Sequence, residues 1–157
     1  MNILSETQRA YLAGLIDGEG CISISSGTQQ AKRGVAFPQF GCKMYISNTN
    51  LIILQTVQSW VGEGKITMVR RASSMKEKNW KAVYNWSIYS RIMRQFLPII
   101  FPYLIIKKEQ AELALSFLDT VKGRGYGSNL NPEEKRRRFY IVSRLKELNQ
   151  RGLHASI

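Results

Sequence analysis

Cysteine and histidine are scarce in this chain of 157 residues, which contains two cysteines and one histidine. Cys21 and Cys42 lie far apart, and neither has a second cysteine close to it in sequence, which excludes a zinc site made of four cysteines. We expect both thiols to be reduced, small and mostly buried, as is usual in an intracellular protein. His154 lies in the tail of the sequence without an identifiable partner, so the sequence indicates no imidazole base.

Acidic residues and long apolar runs are also few. The 23 lysines and arginines outnumber the 11 aspartates and glutamates, which gives a formal charge of +12. This surplus favours a polyanionic partner such as nucleic acid, and an aromatic content of 10% argues against a disordered basic tail. The most apolar run, 96–106, is about half as long as the roughly 20 residues of a membrane-spanning helix. Residues 1–7 lack the features of a secretory signal, so we expect an intracellular protein that does not use a membrane.

Hydrophobic periodicity divides the chain into a helix–strand–strand unit that occurs twice and is followed by helices. The predicted elements are a helix from Ser5 to Asp17, strands at 21–25 and 39–47, a helix at 49–60, strands at 65–71 and 81–89, and helices at 91–97, 108–121 and 132–149. We therefore expect one α+β domain over residues 1–157. Its αββαββ core, at about 5–90, forms a four-stranded antiparallel sheet backed by helices, with further helices at about 91–150.

The predicted strands place polar and cationic side chains on the face of the sheet that points away from the helices. In the third strand, Ile66 and Met68 are predicted to face the core. None of the outward positions carries an acid, although an ordinary solvent-exposed face remains the alternative for each residue taken alone. Side chains of these types can reach base edges in a DNA major groove. The predicted DNA-contacting residues are Ser23, Ser25, Gln39, Lys43, Tyr45, Lys65, Thr67, Arg71, Lys81, Asn85 and Ser87.

The first helix ends in a run of small and acidic residues. Ser5 and Gln8 form an S-x-x-Q capping box, which predicts where this helix starts. A glycine inside a helix costs roughly 1 kcal/mol relative to alanine, so Gly14 indicates the close approach of another backbone. That backbone belongs either to a second copy or to another element of the same chain. Helical spacing gives the contact face as Ala10, Ala13, Gly14 and Asp17.

The residues Leu12-Ala13-Gly14-Leu15-Ile16-Asp17-Gly18-Glu19-Gly20 resemble the motif that names the LAGLIDADG homing endonucleases. The repeated helix–strand–strand order and the C-terminal helices are also similar to that family along nearly the whole chain. The resemblance implies a curved sheet that lies over DNA. It also implies a divalent metal, Mg²⁺ or another ion such as Mn²⁺ or Ca²⁺, bound by Glu19 with help from the Gly18 carbonyl. Glutamate stands here in place of the aspartate of the family name, and its extra methylene shifts the metal.

The motif occurs once in this chain. Gly62-Glu63-Gly64 repeats its last residues, but Trp60 precedes them and prevents the same close helix packing, so we interpret Glu63 as a turn residue. Hydrolysis of a phosphodiester is favoured by adjacent metals, for which one acid per chain is too few. Single-motif members of the family are homodimers. The resemblance therefore implies a homodimer, with Asp17 as a structural residue near the dimer contact.

Two more catalytic residues are implied by their positions in this resemblance. Lys107 matches a basic residue beside the scissile phosphate in related single-motif enzymes, where it could stabilise developing charge or orient a water molecule. An ordinary surface lysine is the alternative. Asn48 resembles the place where relatives carry a Gln or Asn that orders active-site water, and a cap for the second helix is the alternative there.

The expected function is that of a homodimeric, Mg²⁺-dependent, site-specific homing endonuclease. It would hydrolyse phosphodiesters in both strands of a long, nearly palindromic DNA target. Two alternatives use the same fold. One is an intron maturase that binds RNA, and the other is a DNA-binding regulator that does not cleave.

Overall fold

Two helix–strand–strand units followed by further helices make up the fold, which confirms the predicted α+β class. The computed structural model describes residues 1–30, 36–70, 80–121 and 131–150. The elements are α1 (Glu6–Glu19), β1 (Gly20–Gln30), β2 (Ala36–Asn48), α2 (Leu51–Val61), β3 (Lys65–Arg70), β4 (Val83–Tyr89), α3 (Ser90–Ile100), a 3₁₀ turn (Phe101–Tyr103), α4 (Lys108–Thr120) and α5 (Pro132–Leu148). The strands of the first unit are longer than their predicted ranges.

The four strands form one antiparallel sheet in the order β1-β2-β4-β3. β1 and β2 pair over eleven residue pairs, from Gly20 opposite Ile46 to Gln30 opposite Ala36. β4 pairs with β2 on one side and with β3 on the other. The two units therefore join through β2 and β4 in the middle of the sheet, and β1 and β3 are its edges.

The core lies between one face of this sheet and the helices. Alternate side chains of the strands enter it, as the sequence pattern predicts. The inward-facing residues that are buried are Ile22, Ile24, Phe40, Cys42, Met44, Ile46, Trp86 and Ile88. Full burial of a large apolar side chain contributes about 1.5–3 kcal/mol. Burial also raises the pKa of the Cys42 thiol to about 12, so this group stays protonated.

The prediction for Met68 is wrong. Its side chain is 53% exposed, although Ile66 packs against the core as expected. The pairing of β3 with β4 shifts register between Met68 and Arg70, and such an irregularity in an edge strand breaks strict alternation.

α4 and α5 cover the side of the sheet that ends in β1. Arg138 of α5 is buried, and its guanidinium lies 5.8 Å from the ring centre of Phe40 and 5.7 Å from that of Phe117. At the other end of α5, Asn149 Nδ2 donates a hydrogen bond to Ile22 O at 2.8 Å. This second contact fixes the end of α5 beside the start of β1. Among the described helices, none combines the length and the apolar character needed to cross a bilayer.

Candidate active site

The motif acid stands at the C-terminal end of α1. The helix begins at the predicted capping box and continues through Gly18 to Glu19, further than the sequence predicts, and the Gly20 N–H donates to Ile16 O. A Cβ at position 20 would lie 2.6 Å from Ile16 O, so glycine is needed for the direct turn from α1 into β1. Gly18 and Glu19 are both exposed. A carboxylate is therefore presented to solvent at a helix end where the backbone carbonyls carry partial negative charge.

Hydrogen bonds of the Asp17 side chain connect the end of α1 to the loop before α4. This side chain is buried, at 9% exposure. Its two carboxylate oxygens accept hydrogen bonds from the backbone N–H groups of Ile105 and Lys107, each at 2.8 Å. The Asp17 side chain therefore stabilises the fold of its own chain. This corrects the prediction that it lies on an exposed face of α1 that contacts a second chain.

Lys107 is brought to the same helix end. Its backbone is held by the Asp17 carboxylate, and its Nζ donates a hydrogen bond to Asp17 O at 2.5 Å. An ammonium carries three N–H donors, so two remain for other partners. The structure therefore places the predicted catalytic lysine beside the motif helix, although the two are about ninety residues apart in sequence.

A pocket of about 670 Å³ opens beside the end of α1. It lies where the end of α1, the start of β1, the start of α4 and the end of α5 meet. Its lining residues are Gly18, Gly20, Cys21, Tyr45, Ile106, Lys107, Glu109, Gln110, Leu148, Asn149 and Gln150. A side-chain hydrogen bond with Cys21 raises the pKa of Tyr45, which keeps the phenol protonated. The pocket thus joins the predicted metal-binding end of α1 to groups that can donate hydrogen bonds.

Asn48 does not line this pocket. Its Oδ1 accepts a hydrogen bond from Asn50 N at 2.8 Å, and Asn50 in turn caps α2 by accepting from Ile52 N at 3.0 Å. Asn48 therefore shapes the turn before α2, close to its alternative interpretation as a helix cap, although the cap itself is Asn50.

The outward face of the sheet is polar, as predicted, but its residues differ in what they can offer to a ligand. Several exposed or partly exposed side chains already have partners within the sheet. Ser25 Oγ donates to Gly41 O at 3.2 Å, and Ser47 Oγ donates to Asn85 Oδ1 at 2.7 Å. Lys43 Nζ lies 5.0 Å from the centre of the Tyr45 ring. The predicted contact residues that are at least partly exposed are Ser23, Ser25, Gln39, Lys43, Tyr45, Lys65, Thr67, Lys81 and Asn85.

Three of the predicted DNA-contacting residues differ from the others in burial or position. Ser87 is only 5% exposed, because it lies between Tyr45 and Lys65 of the neighbouring strands, so its predicted contact is wrong. Lys81 is exposed but precedes β4, which begins at Val83, so it lies beside the sheet rather than within it. Arg71 lies outside the described residues.

The exposed face of α1 is not the contact face that helical spacing predicts. Ala13 is 0% exposed and belongs to the core, so it cannot contact a second chain. Ala10, Gly14 and Gly18 are exposed, with four-residue spacing. A Cβ at Gly14 or Gly18 would meet nothing within 4 Å. We call Ala10, Gly14 and Gly18 the small-residue stripe, and contacts inside the chain do not explain its glycines.

The sequence pattern did not predict two exposed apolar residues near the end of α1. Ile105 and Ile106 lie in the loop held by Asp17, and both are strongly exposed. Consecutive isoleucines directly before Lys107-Lys108 are the signal in the sequence that could have identified them. Their position extends the exposed apolar surface at the end of α1.

The oxygen donors at the end of α1 suit a hard divalent cation. Mg²⁺ and Ca²⁺ are bound by carboxylates, carbonyls and water, and Glu19 and the Gly18 carbonyl supply the first two kinds. Within the described ranges, no three His, Cys, Asp or Glu side chains gather into a group that could hold a metal. In the described part of one chain, the end of α1 thus supplies one exposed carboxylate and one backbone carbonyl.

Comparisons with known proteins agree with this fold and motif. The archaeal intron-encoded homing endonuclease I-Vdi141I, solved with DNA, is 17% identical with a TM-score of 0.70, covering 97% of this chain and 90% of that one. I-CvuI, solved with the I-CreI target and Mg, is 18% identical with a TM-score of 0.68, covering 97% and 87%.

I-TnaI, a homing endonuclease, is 18% identical with a TM-score of 0.65, covering 94% of this chain and 97% of its own. No curated protein sequence gives a significant match. The family model for LAGLIDADG endonucleases matches residues 12–116. The chain belongs to the LAGLIDADG endonuclease family.

Proposed function

We propose that this protein is a homodimeric homing endonuclease that cuts both strands of a specific DNA site with the help of a divalent metal. The observation that carries the proposal is the shared position of Glu19 and Lys107 at the open end of α1, fixed by the bonds of Asp17. Family membership supports DNA as the substrate. The formal charge of +12 suits a polyanion.

The metal site is proposed to form from two copies of the end of α1. Glu19 and the Gly18 carbonyl of each chain would hold the cation, and a bound divalent cation would supply an activated water and stabilisation of the leaving oxygen of the phosphodiester. Lys107 would supply positive charge for the scissile phosphate through one of its two remaining N–H donors. I-CvuI was solved with Mg in one structure and with Ca in another, which supports a divalent cation here.

The dimer is proposed to form through the small-residue stripe. Residues without bulky side chains allow two helix backbones to approach closely, and no neighbour inside the chain is close enough to require glycine at position 14 or 18. Exposed Ile105 and Ile106 would extend the contact. Comparison with a longer protein also supports a dimer. The match to I-LtrWI, a LAGLIDADG homing endonuclease bound to target DNA, covers 92% of this chain but only 46% of that one. Two copies of the chain thus match the size of such a protein.

The outward face of the sheet is proposed to lie over the DNA major groove. Exposed Gln39, Lys65 and Thr67 present donors and acceptors of the kinds that recognise base edges. Lys43 and Lys81 are better suited to phosphates. Asn48, whose amide nitrogen has no partner among the described residues, is proposed to order water near the edge of the site.

The proposal is tested with DNA that carries the uninterrupted form of the insertion site of the gene. We expect double-strand cleavage with Mg²⁺ and none with EDTA, and we expect affinity to fall steeply with salt because binding releases counterions. Sequence-specific binding without cleavage in any divalent cation would instead identify a regulator. Preferential binding of the host intron RNA over the DNA site would identify a maturase.

A further inference from the structure

The start of α4 faces the pocket without a cap. Lys107 occupies the N-cap position and makes no side-chain capping bond. The first hydrogen bond of the helix runs from Ala111 N to Lys107 O, and the N–H groups of Lys108, Glu109 and Gln110 have no partner in the described part of the chain. Free N–H groups and the helix dipole together attract anions to such an end.

Gln110 provides an independent sign of a ligand at this place. Its side chain is only 7% exposed and lines the pocket, yet its amide makes no hydrogen bond with any described residue. Among the described residues, the side-chain nitrogens that are both sealed from solvent and unpaired belong to Arg138, so the Gln110 amide still reaches the space of the pocket. An amide aimed into a polar pocket beside free backbone N–H groups fits a ligand that accepts hydrogen bonds.

The charges around the pocket favour an anion. Lys107 borders it and has two N–H donors left after its bond to Asp17 O. Glu109 also lines it, but its Oε1 accepts hydrogen bonds from Arg144 Nε at 3.0 Å and Nη2 at 2.8 Å. Arg144 therefore compensates the carboxylate of Glu109, and the charge of Lys107 remains for a ligand.

We infer that the start of α4, together with Lys107 and Gln110, is a binding site for a phosphate group of the DNA backbone. This inference rests on the proposed function and deepens it, because it assigns a place to a second phosphate of the strand, beside the scissile one, with one free N–H donor of Lys107 for each. The backbone N–H groups and the Gln110 amide would donate to the phosphate oxygens, and Lys107 would neutralise the charge. A phosphate fixed there would align the strand with the end of α1.

The first test uses inorganic phosphate and the protein alone, so it does not depend on cleavage. We expect phosphate to shift the amide NMR signals of Lys108, Glu109 and Gln110 in a saturable manner. Gln110→Leu should weaken the apparent affinity about tenfold, since one hydrogen bond to a charged group is lost. Gln55→Leu, the same change at an exposed position of α2, should leave affinity unchanged. Shifts that do not saturate, or that are equal in both variants, would overturn the site.

The second test asks whether the phosphate belongs to DNA. Duplexes with a neutral methylphosphonate at one position at a time are bound in Ca²⁺. At one position we expect the substitution to weaken wild-type binding about tenfold and to have a smaller effect on Gln110→Leu, which has lost one donor but keeps the backbone N–H groups and Lys107. Saturable binding of inorganic phosphate without such a position would overturn the DNA assignment.

Two controls keep these tests interpretable. The Gln110→Glu variant keeps the size of the side chain, and repulsion should weaken phosphate binding more than Gln110→Leu does. A thermal melt equal to that of the wild type shows that each variant is folded. Phosphate binding by a protein that cuts no DNA would refute the proposed function alone, whereas cleavage without any phosphate effect would refute this inference alone.

Discussion

The two helix–strand–strand units share the tripeptide Gly-Glu-Gly at the ends of their helices, but the two helices end in different ways. α1 runs through Gly18 to Glu19 and turns directly into β1. α2 stops at Val61, and Gly62 caps it in the left-handed conformation, with φ of 72°. Its N–H donates to Gln58 O at 2.8 Å, which satisfies a free carbonyl of the helix end.

Glu63, the middle residue of the second tripeptide, also makes contacts within the chain. Glu63 O accepts a hydrogen bond from Trp86 Nε1 at 3.1 Å, and the Glu63 carboxylate lies 3.5 Å from the guanidinium of Arg91. Glu63 thus lies in a turn, as predicted. The same three residues serve structure after α2 and present an acid at the end of α1. Both helix ends have a backbone capping bond, and they differ in conformation, because Gly20 is extended and leads directly into β1 whereas Gly62 is left-handed and starts a turn.

The largest expected difference between the units is in catalysis. Glu19→Gln should lower cleavage by about a thousandfold or more, because the charge that binds the metal is lost and a metal site contributes several kcal/mol. Glu63→Gln should leave cleavage within about twofold, since it removes only a surface ion pair. The measurement is the single-turnover cleavage rate with Mg²⁺.

DNA binding in Ca²⁺ serves as the control, and both variants should retain it. Equal cleavage by the two variants would remove Glu19 from the active site and would end the distinction between the two helix ends.

The next largest effect concerns the open face of α1. Gly14→Leu should weaken the dimer by roughly 10- to 100-fold, because overpacking a close contact costs about 1–3 kcal/mol. Gln55→Leu, on the exposed face of α2, should leave the dimer intact. Sedimentation equilibrium measures both. A wild-type protein that is monomeric at micromolar concentration would refute the role proposed for the stripe.

A third prediction compares Asp17 with Val61, which precede Gly-Glu-Gly in the two units. Asp17→Ala leaves the N–H groups of Ile105 and Lys107 unpaired and should lower the free energy of unfolding by about 1–3 kcal/mol. Val61→Ala removes buried apolar volume and should cost about 2 kcal/mol. Urea unfolding measures both losses.

Cleavage separates these two variants. Asp17→Ala should also cut slowly, since Lys107 loses its anchor, whereas Val61→Ala should cut normally below its unfolding transition. If both variants keep normal rates, Lys107 does not depend on Asp17.

The smallest expected effect concerns the glycines at the two helix ends. In the Gly14→Leu background, where dimer formation contributes less, Gly62→Ala should lower stability by about 1–2 kcal/mol because alanine disfavours the left-handed region. A Cβ there would also lie 2.7 Å from Asn2 Oδ1. Gly18→Ala should be neutral or stabilising by up to about 1 kcal/mol. The urea midpoints of the Gly62→Ala and Gly18→Ala variants measure these changes. Equal losses of stability in both variants would contradict the difference between the two helix ends.

The parts of the fold that could be predicted are those set by local pattern. The capping box of Ser5 and Gln8 fixes the start of α1, and the alternation through Phe40, Cys42 and Met44 fixes which face of β2 is buried. Both signals depend on neighbours within a few residues. Family resemblance then added the expectation of a curved sheet over DNA and of a metal-binding role for Glu19.

The parts that could not be predicted depend on contacts between distant residues. Helical spacing places Ala10, Ala13 and Gly14 near one another but does not show that Ala13 faces the core of its own chain. The bonds from Asp17 to the loop at 105–107 span about ninety residues, and no local pattern signals them. The uncapped start of α4 likewise became visible only with its neighbours in place.

If the sheet lies over DNA as proposed, the length of the β1–β2 pairing sets the reach of the protein along the groove. Eleven residue pairs at about 3.4 Å each make an arm of roughly 37 Å, which spans about eleven base pairs at 3.4 Å per base pair. Two such arms related by a dyad would cover about two turns of the double helix. A nuclease-protection footprint much shorter than this would mean that the far end of the arm does not read the target, and recognition would then be confined to the base pairs nearest the dyad.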